Sequence, residues 1–286
     1  VPPQGHGLPG SVAATDLAVV GPLARSAEDL TLALEVTAGA DTLNAPGWRL
    51  ALPEPRAASL RALRVAVWAT DDMAPADGSV TDRGQGRPDR LAALGAAVSA
   101  RARPVVSSGG APHAYLSLLF PITHARVAEE EFERSRRVAA GFDPDDASTA
   151  AVSARAAVLE HRDWLRYHNL RTRMRMQWRR FFQDWDIVLC PIMVTTAPVH
   201  DPTPFDARTL QVNGAERPYA EQLFWAGLAN LAFLPSTVLP TGPAADGLPL
   251  GVQAMGAEFA DRTTIAFAGW MARELGGFVP PAGFAD

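Results

Sequence analysis

Residues 235–275 read PSTVLPTGPAADGLPLGVQAMGAEFADRTTIAFAGWMAREL. Up to Met255 this is two strands joined by a turn-rich link, and from Asp261 it is one amphipathic helix. Earlier stretches repeat the alternation. LRVAVW (63–68) is a β-branched run of the buried-strand type, and DIVLCP (186–191) is a short strand stopped by a proline. DRLAALGAAV (89–98) reads as a helix end turning into a further strand. Strands that alternate with helices predict an α/β protein, a mixed sheet flanked by helices.

LAVVGPLARSAEDLTLALEVTAGAD (17–41) predicts a strand, a Gly-Pro turn and a helix. Ser26 is the expected N-cap, because its hydroxyl can accept from a free backbone N–H. Asp29 stands at the third helical position of a capping-box-like arrangement, with Glu28 beside it at the positive helix end. Gly39 is expected to close the helix. Residues 1–16 are too rich in Pro and Gly for regular structure. From 113 to 185 the chain is mostly helical, an insertion or cap region. Residues 79–88 carry Gly84, Gly86 and Pro88 where the flanking pattern calls for helix; a frame disturbance in the gene or a tolerated surface loop would each explain them. QVNGAERPY predicts a hairpin on its Asn-Gly turn, with helix again over 219–231.

Composition excludes several classes. A net charge of −5 argues against nucleic acid as a partner, and the Arg171–Arg180 cluster then reads as a solvated helix face. No apolar run approaches the roughly 20 residues of a membrane span. One cysteine, Cys190, excludes an internal disulfide and makes a reducing cytoplasm the expected compartment. All 26 basic residues are arginine. No mechanism that uses a lysine amine can therefore run on this chain alone.

Each candidate for chemistry has a plainer reading beside it. Cys190 at a strand end could be a nucleophile, but no electropositive setting surrounds it in sequence, so a buried structural thiol is the better account. His161 and His168 share a helix face without a third ligand at metal spacing, and no metal or cofactor is called for. The Ser107-Ser108 loop in VSSGGAP could offer a hydroxyl and oxyanion donors, yet nothing supplies a base.

The two ends of the chain together resemble the amidase signature family. Val1-Pro2 match its Val-Pro coil, Gly21, Pro22, Ala24, Arg25 and Ser26 its Gly-Pro-x-Ala-Arg-Ser segment, and Asp29 the early Asp of the helix that follows, with Gly39 and Asp41 at the helix end. Asp186 to Pro191 match its pocket-wall strand. Asn230 and Pro235 match a helix-to-strand step, and Pro240 with Gly242 a turn. Gly247 to Gln253 match a Gly-Leu-Pro-x-Gly-Val-Gln strand, and Phe259 with Asp261 the entry to the last helix.

The resemblance implies the C-terminal part of an amidase domain over 1–286. It implies hydrolysis of a small-molecule carboxylic amide by a serine activated through a cis-linked serine and a lysine. In the family all three lie upstream of the Gly-Pro-x-Ala-Arg-Ser segment, so the chain is expected to start in mid-protein, inactive alone. An upstream polypeptide would then complete the site. The expected pocket walls are Cys190, Pro191, Ile192 and Met193, with Phe224, Trp225 and Asn230 on the later helix. Ordinary core packing is the competing role for each, and the favoured one for Phe224. Arg25 and Asp29 are assigned structural roles, Arg25 tying loops through carbonyls or a carboxylate. Rival readings are a non-catalytic binder or partner subunit, and the transamidating subunit of a tRNA-dependent amidotransferase. A sheet cut before its first strands would expose an edge, inviting a homo-oligomer.

Overall fold

The computed structural model describes residues 12–105, 110–281 and 283–284. Helix α1 (Ala27–Thr37) comes first, then strand β1 (Arg64–Val67), helix α2 (Gly78–Ala93) and strand β2 (Ala97–Ser99). Helices α3 (Gly110–Thr123), α4 (Glu129–Ala140), α5 (Thr149–Ala157) and α6 (His161–Asp184) follow. Strand β3 (Ile187–Pro191) leads to the hairpin β4 (Thr209–Val212) and β5 (Ala215–Pro218), then to helix α7 (Leu223–Ala232). The chain closes with β6 (Ser236–Pro243), β7 (Pro249–Met255) and α8 (Asp261–Leu275).

Five strands form one mixed sheet in the order β2-β1-β3-β7-β6. β1 runs parallel to both β2 and β3, whereas β7 is antiparallel to β3 and to β6. The period of two sorts side chains onto two cores. Val65, Val67, Ile187, Leu189 and Ala254 enter one core, closed by Phe267 and Met271 of α8 and Leu91 of α2. Ala66, Trp68, Val188, Cys190 and Met255 enter the other, closed by Leu118 of α3, Trp178 of α6 and Leu228 of α7. Both faces are covered, which is why β1 and β3 read as unbroken apolar runs.

A charge cluster locks β1 to β3. Arg64 donates to Asp186 from its backbone N (2.9 Å), Nε (3.1 Å) and Nη2 (2.8 Å), and Arg56 Nη1 lies 3.2 Å away. Burial alone would raise the Asp186 pKa, but the Arg64 bonds and the Arg56 charge outweigh it and hold it below the ordinary carboxylate value.

Several sequence expectations need correction. Among the described residues, 17–20 form no strand: Leu17 turns left-handed (φ 58°) and buries its side chain, while Val19 and Val20 stay exposed. Ser26 does cap α1, accepting from Asp29 N at 3.0 Å, but the helix ends on Ala38 in extended conformation before it reaches Gly39. Residues 79–88 are not a break. α2 runs through them, started by the Asp77 cap and with Pro88 inside it. Asn213 and Gly214 both take positive φ (52° and 76°), the turn that an Asn-Gly hairpin needs. Val1-Pro2 and Ser107-Ser108 lie outside the described residues. No helix among the described residues is long and apolar enough to cross a membrane.

Candidate functional site

The strand order places a crevice before any residue is inspected. From β1 the chain steps to β2 on one side, then returns to β3 on the other. α2 lies on the α8 face of the sheet, whereas α3 and α6 lie on the opposite face. The carboxyl ends of β1 and β3 therefore form a topological switch point, where ligands bind in open α/β sheets. Trp68 follows β1 there, and Pro191 ends β3.

Three aromatic rings pack edge-to-face at this point. The Trp68 ring centroid is 5.7 Å from Trp225 and 6.2 Å from Phe224, and Phe224 is 4.9 Å from Trp225. Trp225 is sealed from solvent and donates from Nε1 to the Ala74 carbonyl at 3.2 Å, satisfying its one polar atom. Cys190 is buried beside this group; burial pushes its thiol pKa up, against an opposing hydrogen bond with Gln253. It is no poised nucleophile.

Gln253 of β7 joins the walls. Its Nε2 donates to the carbonyls of Pro191 and Trp225, each at 2.9 Å, and its Oε1 accepts from Ser236 Oγ at 2.9 Å. The end of β3, helix α7 and strand β6 thus meet on one amide. Asn230 serves elsewhere: its Nδ2 donates to the Leu17 carbonyl at 3.0 Å and fastens the N-terminal segment to α7. That segment is held again by Asp16, which takes two bonds from the buried Arg171 (2.8 and 2.9 Å). Ile192 is half-buried and Met193 exposed at the strand's far end. Arg25 is exposed with its guanidinium 5.3 Å from the Phe278 ring centroid. Its expected bond to a carbonyl or carboxylate is not formed among the described residues; a ring is its partner instead.

Beside the crevice lies a small apolar cleft of about 50 Å³, lined by Met73, Ala111, Tyr115, Leu223, Phe224 and Leu228 among others. Gly227 in its lining lets α7 pack closely on α3, since a Cβ there would stand 2.8 Å from Tyr115 Cδ1. The β4–β5 hairpin is tied to the start of α2. Asn213 N donates to Asp77 Oδ2 (2.8 Å), Gly78 N to Asn213 Oδ1 (2.8 Å), and Asn213 Nδ2 to the Ala76 carbonyl (3.2 Å). Sequence reasoning missed Trp68, Gln253 and Arg103 as parts of this region. A charged or aromatic residue just past a parallel strand is the signal that would have found Trp68 and Arg103.

The amidase family model matches residues 4–265, and the chain belongs to that family. It is 27% identical over 241 residues to the indoleacetamide hydrolase of Bradyrhizobium diazoefficiens, covering 82% of this chain and 41% of that protein. It is 28% identical over 280 residues to a glutamyl-tRNA(Gln) amidotransferase subunit from a Roseiflexus species, covering 88% and 53%. A bacterial aryl acylamidase of the amidase signature family superposes with a TM-score of 0.63 at 23% identity, over 90% of this chain and 53% of that one. The chain thus spans about half the length of these relatives.

Proposed function

We propose that this chain forms the pocket-wall part of a hydrolase that splits apolar or aryl carboxylic amides into a carboxylate and ammonia or an amine. The observation that carries the reading is the apolar cleft lined by Phe224, Leu223, Leu228 and Tyr115, with the buried rings of Trp68 and Trp225 packed against Phe224, within a chain of the amidase family. Such walls favour an apolar group over a small charged one. Phe224 and Leu223 on α7 line the cleft, while Gln253 ties α7 to the end of β3 through the carbonyls of Trp225 and Pro191. The nucleophile, the bridging serine and the lysine would come from polypeptide outside these 286 residues, because every basic residue here is arginine.

The test is an assay of two proteins against phenylacetamide, acetamide and glutamine. The 286-residue chain should match buffer, whereas a protein carrying the upstream coding sequence should prefer phenylacetamide. Turnover by the short chain would overturn the assignment of the catalytic groups. Preference of the longer protein for glutamine would favour the transamidating reading, which the likeness to the Roseiflexus protein supports. No turnover by either would leave a non-catalytic binder.

A further inference from the structure

Arg103 lies past the carboxyl end of β2, at the same sheet edge as the crevice. Its Nη1 donates to the Val67 carbonyl (2.9 Å) and to the Ala102 carbonyl (2.8 Å), so both hydrogens of that nitrogen are used. Its Cζ stands 5.4 Å from the Trp68 ring centroid. These three contacts fix the plane of the guanidinium. Nε and Nη2, the edge that suits two parallel bonds to a carboxylate, form no bond among the described residues.

No acid neutralises it at ion-pair distance among the described residues, in contrast to Arg64, Arg171, Arg175 and Arg217, which face Asp186, Asp16, Glu258 and Glu221. Asp71 influences it only through space, and its own Oδ1 accepts from Met73 N at 2.9 Å. Much of the Arg103 side chain is open to solvent. Desolvation at the guanidinium end nevertheless lowers its pKa, with Asp71 opposing. A cation that is held in place, partly dehydrated and without an acidic partner beside a switch point is prepared for an anion.

We propose that the Nε/Nη2 edge of Arg103 binds the carboxylate of a small organic acid whose apolar part lies toward the cleft. The site stands on its own geometry; that the acid is the product of amide cleavage, or a half-amide substrate, rests on the functional reading above.

The purified 286-residue chain is titrated by calorimetry with phenylacetate, with succinamate as the half-amide and with phenylacetamide as the neutral isostere. Phenylacetate should bind saturably and more weakly at high salt. Arg103→Gln, which keeps a donor for the Val67 carbonyl, should weaken it at least tenfold while leaving phenylacetamide unchanged. Tight phenylacetate with weak succinamate marks product binding, and the reverse marks an acidic substrate. Melting curves of both proteins guard against misfolding. If phenylacetate and succinamate both fail to bind a wild type that melts cooperatively, Arg103 is only a cap on β1. The same holds if Arg103→Gln binds them as wild type does. Continued phenylacetamide turnover by the longer protein would leave the amidase reading standing in either case.

Discussion

Gln253 and Trp225 are joined by a single buried bond, Nε2 of one to the carbonyl of the other at 2.9 Å, and the same nitrogen holds Pro191. Helix α7 is thereby fixed to the end of β3 by a side chain from β7. Gln253→Leu keeps most of the volume but removes the donor. Losing the two buried bonds costs about 1 kcal/mol each. The melting temperature should fall clearly, and Cys190, which sits between these walls, should begin to react with a thiol reagent in the native state. An unreactive thiol together with an unchanged melting temperature would mean that α7 is held by apolar packing alone.

The elements of the sheet were legible because β1 and β3 are short apolar runs with β-branched residues, β7 follows a turn-rich Gly-Leu-Pro link, and α8 is strongly periodic. Residues 17–20 looked like a further strand, yet an apolar run does not report whether a partner strand is at hand. Leu17 instead enters the core from a left-handed turn that Asp16 and Asn230 stabilise. The helix α2 was obscured by local composition: Gly and Pro disfavour helix, but the Asp77 cap and the buried anchors Val80 and Leu91 prevail. The pocket wall could be read as residue types after a strand. The contacts that hold it, Gln253 to two carbonyls and Arg103 on Trp68, join segments far apart in sequence. Neither periodicity nor spacing encodes such pairings.

The Asp186–Arg64 lock makes a prediction about acid. The folded-state pKa of Asp186 is depressed, so its contribution is present above the unfolded value of about 3.9 and is lost as pH falls through the folded value. Asp186→Asn should melt well below wild type at neutral pH, by about 1–3 kcal/mol of stability, since Arg64 stays partly solvated. The gap should close progressively below about pH 4. A gap that does not change with pH would assign the loss to packing rather than to the charge.

Phe233 caps α7 in the left-handed region (φ 56°), where a side chain costs about 1–2 kcal/mol. Its ring lies 4.8 Å from the Arg171 guanidinium carbon and 4.9 Å from that of Arg175. Two cation–π contacts at about 0.5–1 kcal/mol each, plus the buried part of the ring, slightly exceed the backbone cost. Phe233→Gly should therefore be mildly destabilising. Phe233→Leu should be worse, because it keeps the strain and loses the ring. Chemical denaturation of the three proteins tests the order. A glycine variant more stable than wild type would mean that strain dominates and the arginines gain nothing from the ring.

β6 is an edge strand of the sheet, and Val238 on it is 55% exposed. A second apolar surface lies on α1 and the loop after it, where Leu32 is 61%, Val36 78%, Leu43 92% and Trp48 72% exposed. Leu32 and Val36 are four residues apart and share one helix face, away from the buried Leu34. An unpaired edge and a bare apolar stripe both favour contact with another chain. The isolated chain should self-associate as its concentration rises in sedimentation velocity. Two variants separate the causes. Leu32→Glu with Val36→Glu should abolish association if the α1 face drives it. Val238→Lys should do so if β6 pairs edge to edge, because an exposed charge there opposes strand addition. A wild-type chain that sediments as a monomer at every concentration would show that neither surface is adhesive.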